Sequence, residues 1–146
     1  MVIFTEVLRP PIWVLAFIYF MFLSLVIAIW AALDTNATMI AFAIATLAIP
    51  FIARSLTSRI SIDQRELRID KAHIELKYLG KVTVLDSDAM RMLRTRDADP
   101  AAFLALAFWI PTGVKILIND DRDSVPYWLI SVRKSEELTS TLCKLL

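Results

Sequence analysis

The spacing of hydrophobic positions changes character at residue 54. Before it the apolar side chains run almost without interruption, and after it they alternate with polar ones. Ile12 to Leu33 is a run of 22 residues without a charge. At about 1.5 Å per helical residue it covers the roughly 30 Å hydrocarbon core of a bilayer. A second uncharged run extends from Ala37 to Ala53, at the short end of the spanning range. Only Asp34, Thr35 and Asn36 intervene, so the pattern predicts a transmembrane hairpin over residues 1–53, with spans at 12–33 and 37–53. A soluble pair of buried helices would need apolar partners that the remaining sequence does not offer.

From residue 54 onward the period is two, the signature of half-buried strands. Arg59–Asp63, Glu66–Asp70, His73–Lys77 and Lys81–Val84 alternate in succession, with Gln64-Arg65 and Lys71-Ala72 as brief turns. These four segments predict an antiparallel meander. Phe103–Trp109, Val114–Asn119 and Tyr127–Val132 are three further strand candidates. Between the groups, Ser87–Leu93 reads as a short helix capped by Asp86 or Ser87, and Asp99-Pro100 as a cap followed by a first-turn proline. A closing helix is predicted from Ser135, with Leu138, Leu142, Leu145 and Leu146 as its apolar stripe and Ser135 as its cap. Seven strands and a carboxy-terminal helix predict an α+β cytoplasmic domain over 54–146, an antiparallel barrel like that of pleckstrin-homology (PH-like) domains.

Charge sharpens this division. Of the 16 Lys and Arg and 15 Asp and Glu, only Glu6, Arg9 and Asp34 precede residue 54. Arg9, Arg54 and Arg59 flank the two runs, whereas their connection carries only Asp34. Positive flanks stay cytoplasmic, so both termini are expected on the cytoplasmic side of a plasma membrane. The first run is longer than the apolar region of a cleavable signal, and Glu6 offsets Arg9, so the segment is expected to be retained. Trp13 and Trp30 suit the two interfaces. Pro10 and Pro11 break the lead of residues 1–11 from the first helix, and Pro50 is expected to kink or end the second. Ala28 and Ala32 in the first helix, and Ala41, Ala45 and Ala48 in the second, are candidate helix–helix packing positions. No ionisable side chain lies within either span, and Tyr19, Ser24 and Thr46 are the polar groups at depth. That pattern argues against an ion or substrate pathway.

Candidate chemistry is sparse. Gly80 and Gly113 are the only glycines, which excludes a glycine-rich phosphate loop. One histidine, His73, and one cysteine, Cys143, exclude the usual metal cluster and an internal disulfide. His73 is expected to be exposed and Cys143 packed. Asp86, Asp88, Asp97 and Asp99 sit where caps are expected, and Asp120, Asp121 and Asp123 in a hairpin turn, so no catalytic, cofactor-binding or metal residues are assigned. The scattered positive charge does not suit nucleic acid. Arg54, Arg59, Arg65 and Arg68 are candidate lipid-headgroup contacts. Trp109, Tyr127 and Trp128 are candidates for docking a membrane protein partner or a second copy, against the plainer alternative of core packing.

Several segments also look like a known family. The apolar hairpin followed by Ser58-Arg59-Ile60, Leu79-Gly80-Lys81-Val82, Ala98-Asp99-Pro100-Ala101-Ala102-Phe103 and Pro126-Tyr127-Trp128-Leu129-Ile130-Ser131 resembles an actinobacterial family of small membrane proteins, DUF3093, a domain of unknown function. The resemblance implies two membrane helices and carries over no catalytic residue. Where other members have a basic residue before the Trp-Ile pair, this chain has Ala107-Phe108 before Trp109-Ile110. The expected role is a non-enzymatic, membrane-anchored interaction module in contact with the lipid bilayer. Headgroup sensing is the alternative, and an uncharacterised membrane enzyme the third.

Overall fold

The computed structural model describes residues 2–120 and 122–146. It divides into two compact units: Arg9–Thr57 forms one, and the segment ending at Leu8 together with Ser58–Leu146 forms the other. The units therefore do not separate at residue 54. The helical unit is an insertion between two neighbouring strands.

The inserted unit is a helical hairpin of α1 (Ile12–Ala32) and α2 (Thr35–Ser55). Helix α2 starts earlier than the apolar run because Asp34 caps it. The Asp34 carboxylate accepts from the Ala37 amide at 2.9 Å, and its carbonyl accepts from the Thr38 hydroxyl at 3.0 Å. Pro50 lies inside α2 and does not end it. Both helices are long and apolar enough to cross a membrane.

The second unit begins with β1 (Val2–Leu8), a strand in the segment expected to be an irregular lead. It pairs antiparallel with β2 (Ser58–Asp63), with Phe4 opposite Ile62, Glu6 opposite Ile60 and Leu8 opposite Ser58. Strands β3 (Glu66–Ile69) and β4 (Ala72–Glu75) complete a four-stranded sheet in the order β1-β2-β3-β4. The second turn is Asp70-Lys71, one residue earlier than expected. Asp70 takes a left-handed backbone with φ 53°, which Asp tolerates better than most residues. Its carboxylate accepts from the Arg59 amide at 2.7 Å and the Ser58 hydroxyl at 2.6 Å, pinning the start of β2.

The fourth segment of the expected meander leaves this sheet. A 3₁₀ turn at Leu76–Tyr78 redirects the chain into β5 (Leu79–Leu85), which opens a second sheet with β6 (Phe103–Ala105), β7 (Gly113–Ile118) and β8 (Tyr127–Ser131). Its order is β5-β7-β8-β6, and β6 runs parallel to β8. The expected seven-stranded closed barrel is thus corrected to two open four-stranded sheets, eight strands among the described residues. Helix α3 (Ser87–Thr95) is capped by Asp86, and α4 (Ser135–Leu145) closes the chain. No helix follows Asp99-Pro100. The Asp99 carboxylate instead accepts from the Ala101 amide at 2.9 Å in a tight turn.

The main core is built from both sheets and α4. Phe4, Leu8, Ile60, Ile62, Leu67, Val114, Ile116, Trp128, Ile130, Leu138 and Leu142 form one cluster. Leu85, Met90, Tyr127 and Leu129 form a smaller one that includes α3. Strand β8 contributes alternate residues to each cluster, so all five of its side chains are buried.

Candidate functional site

The four candidate headgroup arginines fall on four different elements. Arg54 lies in the last turn of α2, Arg59 on β2, Arg65 in the turn before β3 and Arg68 on β3. All are exposed. Arg68 is bound by Glu66, its Nε and Nη2 reaching one carboxylate oxygen at 2.9 and 2.8 Å. Ser61, Arg68 and His73 stand side by side across β2, β3 and β4, and Glu66 stands opposite Glu75. The outer face of this sheet is therefore mixed in sign.

The aromatic candidates separate. Tyr127 and Trp128 are each only 6% exposed, so the expectation that they dock a partner is corrected. Trp128 packs against Phe103, with ring centroids 4.5 Å apart, and the Lys115 ammonium lies 4.1 Å from the centre of the Tyr127 ring. An interior strand covered on both sides leaves neither ring free. Trp109 is half-buried, meets Phe108 edge-on at 4.8 Å, and has a buried indole N–H with no acceptor among the described residues. Phe108, beside it and part of the same aromatic group in the sequence, is 63% exposed.

Within the helical hairpin, Ala41, Ala45 and Ala48 line a groove with Phe22, Leu25, Val26 and Ile29 of α1. Ala28 and Ala32 are exposed and are not part of that groove. The alanine stripe of α2 thus faces larger side chains of α1. Tyr19 and Thr46, two of the three polar groups at depth, meet through their hydroxyls at 3.4 Å.

Most of the candidate acids are engaged in holding backbone. Asp86 accepts from the Ala89 amide at 2.8 Å, Asp120 from the Arg122 amide at 3.1 Å and Asp123 from the Val125 amide at 3.0 Å. Asp121 lies outside the described residues. The Arg122 amide, first, holds the Asp120 carboxyl below its ordinary range; desolvation opposes it, and the Arg122 guanidinium adds a smaller pull in the same direction as the amide. Among the described residues no group of His, Cys, Asp and Glu could hold a metal ion. His73 and Cys143 are exposed. Cys143 follows inward-facing Leu142 on α4, which turns it outward and corrects its expected packing.

Two polar features escaped the sequence reading. Arg94 on α3 donates through Nη2 to the Ser131 hydroxyl at 2.7 Å and the Ile110 carbonyl at 3.1 Å. Its Nε has no acceptor among the described residues, and burial lowers its pKa. Its position four residues after buried Met90 was the available signal. Glu6 of β1 accepts from the Arg133 and Lys134 amides at 3.2 and 3.4 Å. The cap residue of α4 is Lys134 rather than Ser135 and makes no side-chain cap bond, so a carboxylate from the opposite end of the sequence serves that helix start.

Comparison with known proteins gives a family model described as a protein of unknown function (DUF3093), which matches residues 3–142. No curated protein and no solved structure matches the chain.

Proposed function

Starting from a chain that belongs to the DUF3093 family, whose description assigns no activity, we propose a non-enzymatic interaction module anchored in the plasma membrane by α1 and α2. The two-sheet unit lies on the cytoplasmic side and engages a membrane protein partner or a second copy. One observation carries the anchoring: both helices present large apolar side chains outward, including Phe20 at 70% and Leu47 and Phe51 at 74% exposure. In water such a surface is costly, at about 25 cal/mol per Å² of apolar area. The β1·β2 pairing supports an even number of crossings between Leu8 and Ser58. Arg9, Arg54 and Arg59 against Asp34 support the cytoplasmic orientation.

The engagement of Asp86, Asp99, Asp120 and Asp123 with backbone amides supports the non-enzymatic reading. Headgroup sensing by Arg54, Arg59, Arg65 and Arg68 is the weaker alternative, because Glu66 already neutralises Arg68. Affinity capture of the full chain after mild solubilisation tests the proposal. A stoichiometric membrane protein or a stable homo-oligomer is the expected result. Recovery of the monomer alone, at concentrations near those in the cell, overturns the interaction role.

A further inference from the structure

We infer that Leu104, Leu106 and Phe108 form a third apolar contact with the lipid leaflet that the helical hairpin enters. This rests on the reading that α1 and α2 span a membrane.

From Ala101 to Val114 the chain carries no charged side chain. It is nonetheless not an interior strand. β6 is an edge, hydrogen-bonded only to β8. Phe103 and Ala105 pack against the main core and Ala107 belongs to it. The alternating positions point the other way: Leu104, Leu106 and Phe108 are 48%, 39% and 63% exposed. Edge strands in water are ordinarily protected by charged side chains. Here β6 and the three residues that follow it carry a row of large apolar groups, and the surface suited to them is hydrocarbon at an interface.

Position selects lipid as the occupant. The parallel register of β6 with β8 places Ala105 beside Ile130, and the turn that carries Phe108, closed by the Ile110 amide on the Ala107 carbonyl, lies near Ser131, because the Arg94 guanidinium donates to both the Ile110 carbonyl and the Ser131 hydroxyl. The Arg133 amide donates to Glu6 of β1. Two residues beyond Glu6, β1 ends at Leu8, paired with Ser58 at the start of β2. The Val132 amide, bonded to the Thr112 carbonyl at 3.2 Å, ties the returning chain to the same end. The apolar row thus runs toward the end of the sheet unit from which the chain departs for α1 and to which it returns from α2. Three residues separate Leu8 from α1, and two separate α2 from Ser58. At about 3.5 Å per extended residue such connections reach roughly 10 Å, so a leaflet entered by the helices is close to that end. Arg133 and Lys134 there are accompanied by Glu6, Glu136 and Glu137, so the contact is apolar and indifferent to headgroup charge.

The test uses the full chain with Cys143→Ser, reconstituted in phosphatidylcholine vesicles with and without phosphatidylglycerol. Single cysteines at Phe108, Leu104, Leu25 of α1, and Ser124 at the opposite end of β8 each carry a polarity-sensitive fluorophore. Lipids spin-labelled high on the acyl chain should lower emission by about half at Phe108 and Leu104, in both vesicle types, and leave Ser124 unchanged. Leu25 should be quenched by lipids labelled deep in the chain. A quenched Leu25 with unquenched Phe108 and Leu104 overturns the third contact alone. An unquenched Leu25 overturns the membrane hairpin with it. Phe108 and Leu104 labels shielded from aqueous iodide but untouched by spin-labelled lipid would mean that protein covers the row, and would overturn the inference equally.

Discussion

At the scale of single residues, the fold depends on a few backbone positions that composition does not reveal. Asp70 combines a left-handed conformation with two hydrogen bonds to the start of β2. Asp70→Ala should cost about 2 kcal/mol, from the conformational penalty and the lost acceptor together. Asp70→Asn should cost less than half as much, because Asn keeps both the backbone tolerance and a carbonyl acceptor. Thermal unfolding of the detergent-solubilised chain compares them. The two glycines should also differ. A Cβ on Gly113 would lie 2.4 Å from the Ile130 carbonyl oxygen, against backbone that cannot yield. At Gly80 it would meet the Asn119 side chain at 2.9 Å, which can rotate away. Gly113→Ala should therefore destabilise by more than about 2 kcal/mol and Gly80→Ala by less than about 1 kcal/mol. The lowered pKa of Asp120 sets a pH window. A depressed carboxyl stabilises the fold above its unfolded value, 3.8, and loses that contribution as pH falls through its folded value. The difference in melting temperature between wild type and Asp120→Asn should be constant above about pH 5 and shrink in more acid solution.

At the scale of elements, β1 is the piece that sequence pattern missed. Its residues pair with partners fifty or more positions away, across the whole helical insertion. Phe4 and Leu8 face the core, yet Glu6 on the same face breaks the apolar alternation. That acid is there because the start of α4 supplies amide donors and no side-chain cap of its own. Glu6→Ala should destabilise by about 1–2 kcal/mol through loss of charge-assisted acceptance, with Glu6→Gln milder. Phe4→Ala should cost about 3–5 kcal/mol by opening a core cavity, a loss that an irregular lead would not produce. Chemical denaturation followed by tryptophan fluorescence measures both. In contrast the start of α3 was legible, because its cap, Asp86, lies next to it in the sequence, although the helix runs two residues past the expected Leu93.

At the scale of the whole molecule, pairing of β1 with β2 constrains topology. Two strands hydrogen-bonded to each other occupy one compartment, so any membrane crossings between Leu8 and Ser58 must be even in number. With Cys143 replaced, cysteines at Thr5 and Ser140 should react with a membrane-impermeant reagent from the same side, and one at Asn36 from the other. Labelling of Thr5 and Ser140 from opposite faces would be incompatible with the β1·β2 ladder.

The amino-acid sequence alone determined the two apolar helices, the strand-forming character of most of residues 58–131 and the closing helix. Each is a local property: the free energy of a 21-residue apolar helix, or of an alternating strand, is set by neighbouring side chains. Tertiary structure decided which strands share a sheet. It placed β1 beside β2, sent β5 into a second sheet, and set β6 parallel to β8. It also decided that Tyr127 and Trp128 are core while Leu104, Leu106 and Phe108 are surface. Those outcomes follow from contacts between segments distant in sequence, where burial on both faces of a strand, not the hydrophobicity of its residues, assigns each side chain its place.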